Sequence, residues 1–346
     1  THFYFEQRRR TLEYRTRVYL SQETACQKIV EKASLVYMEV VGFRTRSEFS
    51  DRKRVDWPVD GEKQTGWFAH DFTLEEIKTL GTVISDPERP QQYNGKFKVA
   101  TFDEIINLVK TQSVILGRNI IIYPETKNPT YHRDLGLPLE DKLIVTINAA
   151  GWNNRTSPVF VQSFEPSSLK ELRGKGLKTK MVQLVDGNDV DLKTGKITYK
   201  APFDRPYDWS RSGDRRLFAD MVTSVGLKEI SAYADGIGVW KPYVVPVKGQ
   251  LNEVGQVVDS NDDGKVDLRD AKTQPPTLLV KEAHKQGLFV HVFTFRNEKR
   301  RLASNYHGDP QAEYLEFFRL GVDGVFSEFP DTAVEARAIF LNELSR

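Results

Sequence analysis

Residues 119–127 read NIIIYPETK, and this stretch decides the fold class. Its three consecutive isoleucines predict a strand buried on both faces, which is typical of a parallel sheet. The hydrophobic run stops where Glu125 and Lys127 begin. Residues two apart on a strand point the same way, so a carboxylate and an ammonium share one face at the carboxyl end of the strand. In an α/β barrel the chemistry lies at that end; a surface salt bridge is the alternative interpretation.

Predicted strands and helices alternate along the chain beyond this stretch, which indicates an α/β fold with a parallel sheet. Thr101, followed by Glu104, predicts a capped helix, and Asp71 or Thr73 predicts another. The later strands end in polar or aromatic residues, and several such ends converging on one place favour a closed barrel. The expected strands are 159–164, 180–185, 234–240, 288–295 and 322–327.

Two long polar segments, at about 186–216 and 246–276, interrupt this alternation and are interpreted as insertions. The whole chain, residues 1–346, is expected to form a single barrel domain that contains both insertions. Exposed insertions are contact surfaces at which the chain is predicted to form a homo-oligomer.

The second insertion contains a loop, residues 259–270, with the ligand spacing of an EF-hand. Gly264 stands at loop position six, and the last ligand is Asp where Glu is usual, as in dockerin-type loops. The alternative is an acidic surface turn. The loop predicts a structural calcium ion and hints at an extracellular setting. Its predicted ligand positions are Asp259, Asn261, Asp263, Lys265, Asp267 and Asp270.

Composition excludes several classes of protein. Fifty basic and forty-eight acidic residues leave no charge excess that would favour nucleic acid. A single cysteine, Cys26, excludes an intramolecular disulfide framework. No apolar run reaches the ~20 residues of a membrane span. No signal peptide is evident, and a chain that starts at Thr1 is expected to be a processed form.

Five motifs, in order, resemble the glycerophosphodiester phosphodiesterase family, in particular its periplasmic or secreted branch. The resemblance extends from about Glu48 to the C-terminus and predicts a periplasmic or extracellular protein. It implies a (β/α)8 TIM barrel with insertions that uses a divalent cation, calcium or magnesium. The implied reaction cleaves glycerophosphodiesters to glycerol 3-phosphate and an alcohol. The motifs are IIIYPETKNP, VFVQSFEPSSLKEL, YADGIGVWKPY, GLFVHVFTFRNE and GVDGVFSEFPDTAVE.

The same resemblance implies roles for individual residues. Glu125 would bind the metal ion, together with Glu39 near the N-terminus, and Lys127 would offset the charge of the phosphate. Arg296 is a second candidate for the phosphate. The side chains expected around the substrate are Gln162, Phe164, Trp240 and Phe295.

The N-terminal region departs from the family pattern. The family has His-Arg-Gly near residues 13–17, where this chain reads EYRTR, and its Glu-x-Asp step reads Glu39-Val40-Val41 here. A later His-Asp step is also missing, so both expected acid/base histidines are absent. Loss of a positioned acid or base typically costs ~10²–10⁴-fold in rate. His132 is the best-placed substitute, although a polar loop residue is the alternative.

Two hypotheses of different class follow. In the first, the chain is a metal-dependent phosphodiesterase that uses Lys127, His132 and Arg296 in catalysis. In the second, the barrel has lost turnover and serves as a calcium-stabilised extracellular binding or structural protein. Glu39 and Glu125 favour the first hypothesis, whereas Val41 and the missing histidines favour the second.

Overall fold

In the computed structural model, residues 47–84 and 86–345 are described in full. Phe3–Glu6 and Arg17–Val18 are described as the backbones of strands β1 and β2. The predicted helix near residue 25 and strand near residue 39 lie outside the described residues. Contacts divide the chain into two compact units, one of residues 21–179 with Thr1 and one of residues 2–20 and 180–346. The expectation of a single domain stays a prediction.

The first unit contains a two-stranded hairpin, five α-helices and one further named strand among its described residues. In chain order they are β3 (Arg54–Val59), β4 (Glu62–Gly66), α1 (Leu74–Thr79), α2 (Phe102–Ile115), α3 (Pro129–Asp134), α4 (Leu139–Ala149), β5 (Phe160–Ser163) and α5 (Pro166–Gly174).

Helices α1 and α2 both begin with a capping box; the box at Thr101 was predicted, and at α1 the structure selects Thr73 over Asp71 as the cap. The Glu104 N–H donates to the Thr101 hydroxyl at 3.2 Å, and the Thr101 N–H donates to the Glu104 carboxylate at 2.7 Å. Thr73 and Glu76 make the same reciprocal pair. Each box satisfies two backbone groups that would otherwise lack a partner at the helix start.

The NIIIYPETK stretch runs parallel to β5, as predicted. The Ile122 N–H donates to the Pro158 carbonyl at 2.9 Å, and the Phe160 N–H donates to the Ile122 carbonyl at 3.0 Å. Ile122 forms a parallel bridge with Val159, and both side chains are buried. The pairing consists of separate bridges rather than a continuous ladder, which explains why the stretch is not itself a named strand.

The second unit contains a mainly parallel β-sheet whose parallel strands are connected through helices. In chain order its elements are β6 (Lys180–Val185), β7 (Asp189–Asp191), β8 (Lys196–Thr198), α6 (Tyr207–Ser212), α7 (Phe218–Met221), α8 (Ser224–Ser231), β9 (Gly236–Trp240), β10 (Val247–Gly249), β11 (Ala271–Thr273), α9 (Leu279–Lys285), β12 (Phe289–Phe295), α10 (Pro310–Arg319), β13 (Gly324–Ser327) and α11 (Pro330–Leu344).

In this unit the strands are ordered β2-β1-β13-β12-β9-β6. Strands β6, β9, β12 and β13 are parallel, and β1 joins β13 in the antiparallel sense. Gly236 begins β9 beside Phe289, where a Cβ atom would come within 2.3 Å of the phenyl ring. A residue without a side chain therefore lets these two strands pack closely. Parallel strands place their carboxyl ends at one edge of the sheet.

The two predicted insertions form structure of their own in this unit. Strands β7 and β8 pair in the first insertion, and β10 and β11 pair in the second. A satellite hydrophobic cluster joins these segments to residues 302–306. Its buried members are Val190, Val247, Ala271, Leu302, Ala303 and Tyr306, and Trp240 packs against them. Among the described residues, no helix is both long and apolar enough to span a bilayer.

Candidate functional site

In the first unit, Glu125 and Gln162 are partners in a parallel bridge. The Gln162 N–H donates to the Pro124 carbonyl at 2.9 Å, and the Thr126 N–H donates to the Gln162 carbonyl at 3.0 Å. Bridge partners on neighbouring strands project to the same face of a sheet. The sequence placed both residues at strand ends, and the structure brings them together. The Gln162 side-chain oxygen is buried without a hydrogen-bond partner among the described residues.

The opposite face of this stretch is anchored to helix α5. Thr126 is 3% exposed, and its hydroxyl lies 2.9 Å from the Ser168 hydroxyl. The Ser163 hydroxyl donates to the Thr126 carbonyl at 2.8 Å. Because side chains alternate along an extended strand, Thr126 packs against helix α5, whereas Glu125 and Lys127 lie on the opposite face. Lys127 is exposed and Glu125 is half-buried.

The turn that follows Lys127 is held by the β3–β4 hairpin. Asn128 has φ of 51°, and its side-chain amide donates to the Asp60 carboxylate. Asp60 and Gly61 form the two-residue hairpin loop with φ of 48° and 86°. Asp-Gly is a favoured sequence for such a loop because both positions need positive φ. The hairpin thus fixes the residue next to Lys127.

His132 lies on helix α3 rather than on the loop that the sequence suggested. Its ring is half-buried beside Tyr131, with 5.3 Å between the ring centroids. Burial lowers the pKa of His132 to about 4, and the electrostatic effects of His70 and Lys142 act in the same direction. The imidazole is therefore neutral at neutral pH. It can accept a proton there, but it is not a protonated acid in the resting state.

A polar cluster that the sequence did not predict surrounds Tyr131. The Trp57 indole N–H donates to the Tyr131 hydroxyl at 2.9 Å, and that hydroxyl lies 3.4 Å from Nδ1 of His70. Asp71 lies 3.6 Å from Nε2 of His70 and pairs with Arg54, which lowers the pKa of Asp71. Burial lowers the pKa of His70. One indication of this cluster was present in the sequence, namely that His70 lies three residues before the helix cap Thr73.

In the second unit, Arg296 makes a bidentate ion pair with Glu328. Arg296 Nε and Nη2 each donate to one Glu328 carboxylate oxygen at 2.9 Å. Arg296 follows β12 and Glu328 follows β13, so the pair spans the carboxyl ends of two neighbouring parallel strands. The sequence analysis assigned Arg296 to the phosphate and did not predict Glu328 as its partner.

Two aromatic residues predicted to line the substrate lie against protein side chains. Phe295 is fully buried, stacks on Tyr314 at 4.7 Å between centroids and meets Phe317 edge-on. Trp240 is half-buried against the satellite cluster. In the first unit, Phe164 is half-buried just after β5. These positions do not test the predicted substrate contacts, which stay predictions. The full burial of Phe295 is unfavourable for a contact between its ring and a substrate.

The predicted catalytic metal site is incomplete among the described residues. Glu39 lies outside them, which leaves Glu125 as the described member of that carboxylate pair. Across residues 47–84 and 86–345, no group of three His, Cys, Asp or Glu side chains is gathered for a metal ion. The described carboxylates therefore do not by themselves fit a divalent cation.

In loop 259–270, Asp262 and Gly264 have positive φ, and the acidic side chains are engaged within the protein. The Gly264 N–H donates to the Asp259 carboxylate at 2.8 Å, and the other Asp259 oxygen is buried without a partner in the described chain. Arg269 pairs with Asp263 and Asp267. Asp270 accepts hydrogen bonds from the N–H groups of two loop residues. A cation would have to displace Arg269 to use the full set.

Comparison with known proteins decides the family. The model of the glycerophosphoryl diester phosphodiesterase family matches residues 49–332. The chain belongs to this family. Membership confirms the predicted fold class, an α/β fold of the TIM-barrel type, and the family uses a divalent cation. The match begins after Glu39, so that predicted ligand lies outside the matched residues as well.

Relatives of this glycerophosphodiester phosphodiesterase family member occur in plants and bacteria. The chain is 33% identical over 295 residues to glycerophosphodiester phosphodiesterase GDPD6 of Arabidopsis thaliana, covering 82% of this chain and 67% of the relative. It is 26% identical over 302 residues to a glycerophosphodiester phosphodiesterase of Haemophilus influenzae, covering 81% and 72%. A solved glycerophosphodiester phosphodiesterase from Parabacteroides distasonis gives a TM-score of 0.41 at 14% identity, covering 83% and 76%.

Proposed function

We propose that the chain is a metal-dependent phosphodiesterase that hydrolyses glycerophosphodiesters to glycerol 3-phosphate and an alcohol. Family membership over residues 49–332 carries this proposal. The names of the plant and bacterial relatives support it. The bridge that brings Glu125 beside Gln162, with Lys127 two residues further on, supplies acid, amide and ammonium groups at one strand end.

These residues suit chemistry at a phosphate. Phosphoryl transfer needs fixed positive charge where negative charge develops on the equatorial oxygens. The exposed ammonium of Lys127 supplies such charge in the first unit, and the guanidinium of Arg296 supplies it in the second. Arg296 is oriented by Glu328, so its remaining N–H groups have a fixed direction. His132 is neutral and therefore in its base form at neutral pH, and its pKa of about 4 makes it a weak base toward the attacking water.

The decisive assay follows glycerol 3-phosphate release from glycerophosphocholine with magnesium, calcium or a chelator. We expect turnover that the chelator abolishes. Glu125→Gln should lower kcat at least 100-fold, in the range that loss of one strong catalytic contact produces. Glu75→Gln, an exposed acid on α1, is the matched control and should retain activity. Full activity of Glu125→Gln, or turnover insensitive to chelator, would contradict the proposal.

A second function, a catalytically silent extracellular binding or structural protein, is favoured by one observation. The lowered pKa of His132 leaves no protonated imidazole there at neutral pH to replace the missing family histidines. A chain that released no glycerol 3-phosphate with any divalent cation, yet gained thermal stability from calcium, would support this alternative. A periplasmic or extracellular location is part of both proposals.

We also propose that loop 259–270 binds calcium as a structural ion. The left-handed conformations of Asp262 and Gly264 and the Asp259 carboxylate turned toward the Gly264 N–H support an EF-hand-like loop. Arg269 opposes binding, because it neutralises two of the predicted ligands. The expected affinity is therefore weak, in the range of extracellular calcium modules at about 10⁻⁴–10⁻³ M.

A further inference from the structure

Glu165 is a buried carboxylate in the turn between β5 and α5, with 2% of its surface exposed. Its two oxygens accept hydrogen bonds from Thr130, one from the hydroxyl and one from the backbone N–H at 3.4 Å. Thr130 is 8% exposed and lies three residues after Lys127. A carboxylate is costly to remove from water, and its hydrogen bonds are stronger in the interior than at the surface. Glu165 is therefore a strong anchor for Thr130.

This contact caps helix α3 from outside the helix. Asn128, the residue before the first turn, has φ of 51° and makes no side-chain hydrogen bond to the described backbone of α3. Its amide donates instead to Asp60. The first N–H groups of a helix have no partner within the helix, and Glu165 accepts one of them, that of Thr130. The direction in which the chain leaves Lys127 therefore depends on Glu165.

Glu125 and Lys127 are held in different ways. Glu125 lies between two backbone hydrogen bonds to Gln162 of β5, made by the Pro124 carbonyl and the Thr126 N–H. Among the described residues, the backbone hydrogen bonds from this segment to β5 end at Thr126, so Lys127 lies beyond them. The backbone of Lys127 is held by the end of the strand pairing on one side and by the start of α3 on the other. Its position is therefore the more sensitive of the two to the anchor at α3.

We propose that Glu165 is a positioning residue for the phosphodiesterase reaction, which acts through Thr130 to hold the Lys127 ammonium where negative charge develops on the phosphate. This assignment rests on the proposed function. A displacement of about 1 Å in a catalytic group can cost ~100-fold in rate. Because the ammonium acts on charge that develops in the transition state, its displacement lowers kcat more than it changes KM.

Two substitutions of Glu165 separate geometry from charge in the full chain, with glycerophosphocholine and magnesium. Glu165→Asp keeps the charge but shortens the reach by about 1.5 Å, one carbon–carbon bond. We expect kcat to fall about tenfold or more, with KM changed by less than about threefold. Glu165→Gln keeps the length, since its amide oxygen can accept the Thr130 N–H and its NH₂ group can donate to the hydroxyl. Its kcat should stay within about threefold of wild type.

The Lys127→Met background distinguishes positioning from a general loss of structure. If Glu165 acts through Lys127, Glu165→Asp should lower kcat by less than about threefold further in this background, because the two effects are not additive. A loss of folded protein would lower kcat equally in both backgrounds. Thr130→Ala is the milder second variant and should show the same dependence on Lys127. Thr130→Ser, which keeps the hydroxyl, should retain activity.

Glu140→Asp is the matched control. Glu140 is also fully buried in the first unit, and it accepts a hydrogen bond from Arg133, in the last turn of α3, at 3.0 Å. Shortening it should lower the thermal midpoint without a loss of kcat that depends on Lys127. Circular dichroism and thermal melting of each variant establish that the compared proteins are folded.

Three results in an active wild-type chain would overturn the assignment of Glu165 alone. They are a kcat of Glu165→Asp equal to that of wild type, a loss of kcat in Glu165→Gln as large as in Glu165→Asp, and an equal effect of Glu165→Asp with and without Lys127. A wild-type chain that released no glycerol 3-phosphate would instead overturn the phosphodiesterase function, and this assignment with it.

Discussion

Arg296 and Glu328 form a two-point ion pair, with both N–H···O distances at 2.9 Å, across the ends of strands β12 and β13. Glu328 is 8% exposed and Arg296 is 29% exposed in their side chains. A planar guanidinium held at two points cannot rotate, and this pair uses two of its five N–H donors. The arginine predicted to bind phosphate therefore has its orientation set by a neighbouring strand.

Arg296→Lys tests whether that geometry matters. Lysine keeps the charge but cannot make the two-point contact, so we expect kcat/KM for glycerophosphocholine to fall about tenfold or more. Steady-state kinetics measures the change. Arg319 makes a similar two-point pair with Glu343 on the outer helices, so Arg319→Lys is the matched control. Equal effects of the two substitutions would contradict a role of Arg296 at the phosphate.

Phe295→Ala distinguishes packing from substrate contact. Removing a fully buried phenyl ring typically costs about 3–5 kcal/mol in the free energy of unfolding. We expect a loss of that size in urea denaturation, with KM little changed in the folded fraction. Phe203, 47% exposed, is the control, and Phe203→Ala should change stability by about 0.5 kcal/mol or less. A small stability loss with a large rise in KM would instead support the predicted contact with substrate.

The pKa of His132 predicts a dependence of stability on pH. Its folded pKa is about 4 and its ordinary value is 6.5, so between these values the unfolded chain binds more protons. The free energy of unfolding therefore falls as pH drops from 6.5 to about 4. Below pH 4 this group causes no further decrease. His132→Gln should reduce the loss by on the order of 1 kcal/mol, after allowance for partial exposure. Parallel pH titrations of the two proteins would refute this if they coincide.

Much of the secondary structure could be predicted because its signals are local. The capping boxes at Thr73 and Thr101 and the isoleucine-rich stretch at 119–127 each specify their own geometry within a few residues. Local pattern was sufficient for these features. The pairing of Glu125 with Gln162 joins two strands and was not predicted, because the sequence indicated only that several strand ends converge.

Side-chain surroundings at strand ends could not be predicted in the same way. Because Phe295 ends strand β12, its position predicts a residue that lines the active site. In the structure its ring stacks instead on Tyr314 of helix α10. Trp240 packs against a cluster that the insertions help to form, and no local sequence pattern at Trp240 predicts that cluster. His132 was misplaced on a loop, although Pro129 at the first helical position was a usable signal.

Thr101→Ala measures the contribution of the α2 capping box. Loss of the hydroxyl leaves the Glu104 N–H without its partner and should lower the free energy of unfolding by about 1 kcal/mol. Chemical denaturation gives the value. Thr111 lies in the body of the same helix, where its hydroxyl bonds back to Asn107. Thr111→Ala is the control, and a cost as large as that of Thr101→Ala would exclude a specific effect of the cap.

Arg269→Ala tests the proposed calcium loop through its internal competitor. Removing the guanidinium releases Asp263 and Asp267, so calcium should bind at least tenfold more tightly than to the wild-type chain. Calorimetry measures the affinity, and the thermal midpoint should rise with added calcium. Arg319→Ala, outside the loop, should leave calcium affinity unchanged. Identical calcium binding by Arg269→Ala and wild type, or none in either, would contradict the assignment.

The hydrogen bond between Asn128 and Asp60 has an evolutionary consequence. A hairpin tip is ordinarily a place where substitutions and length changes are tolerated. Here the tip residue holds the backbone next to Lys127, so a change at Asp60 disturbs the motif unless Asn128 changes with it. The two positions should therefore covary among homologues, and the hairpin should keep its length even where its exposed strand residues diverge.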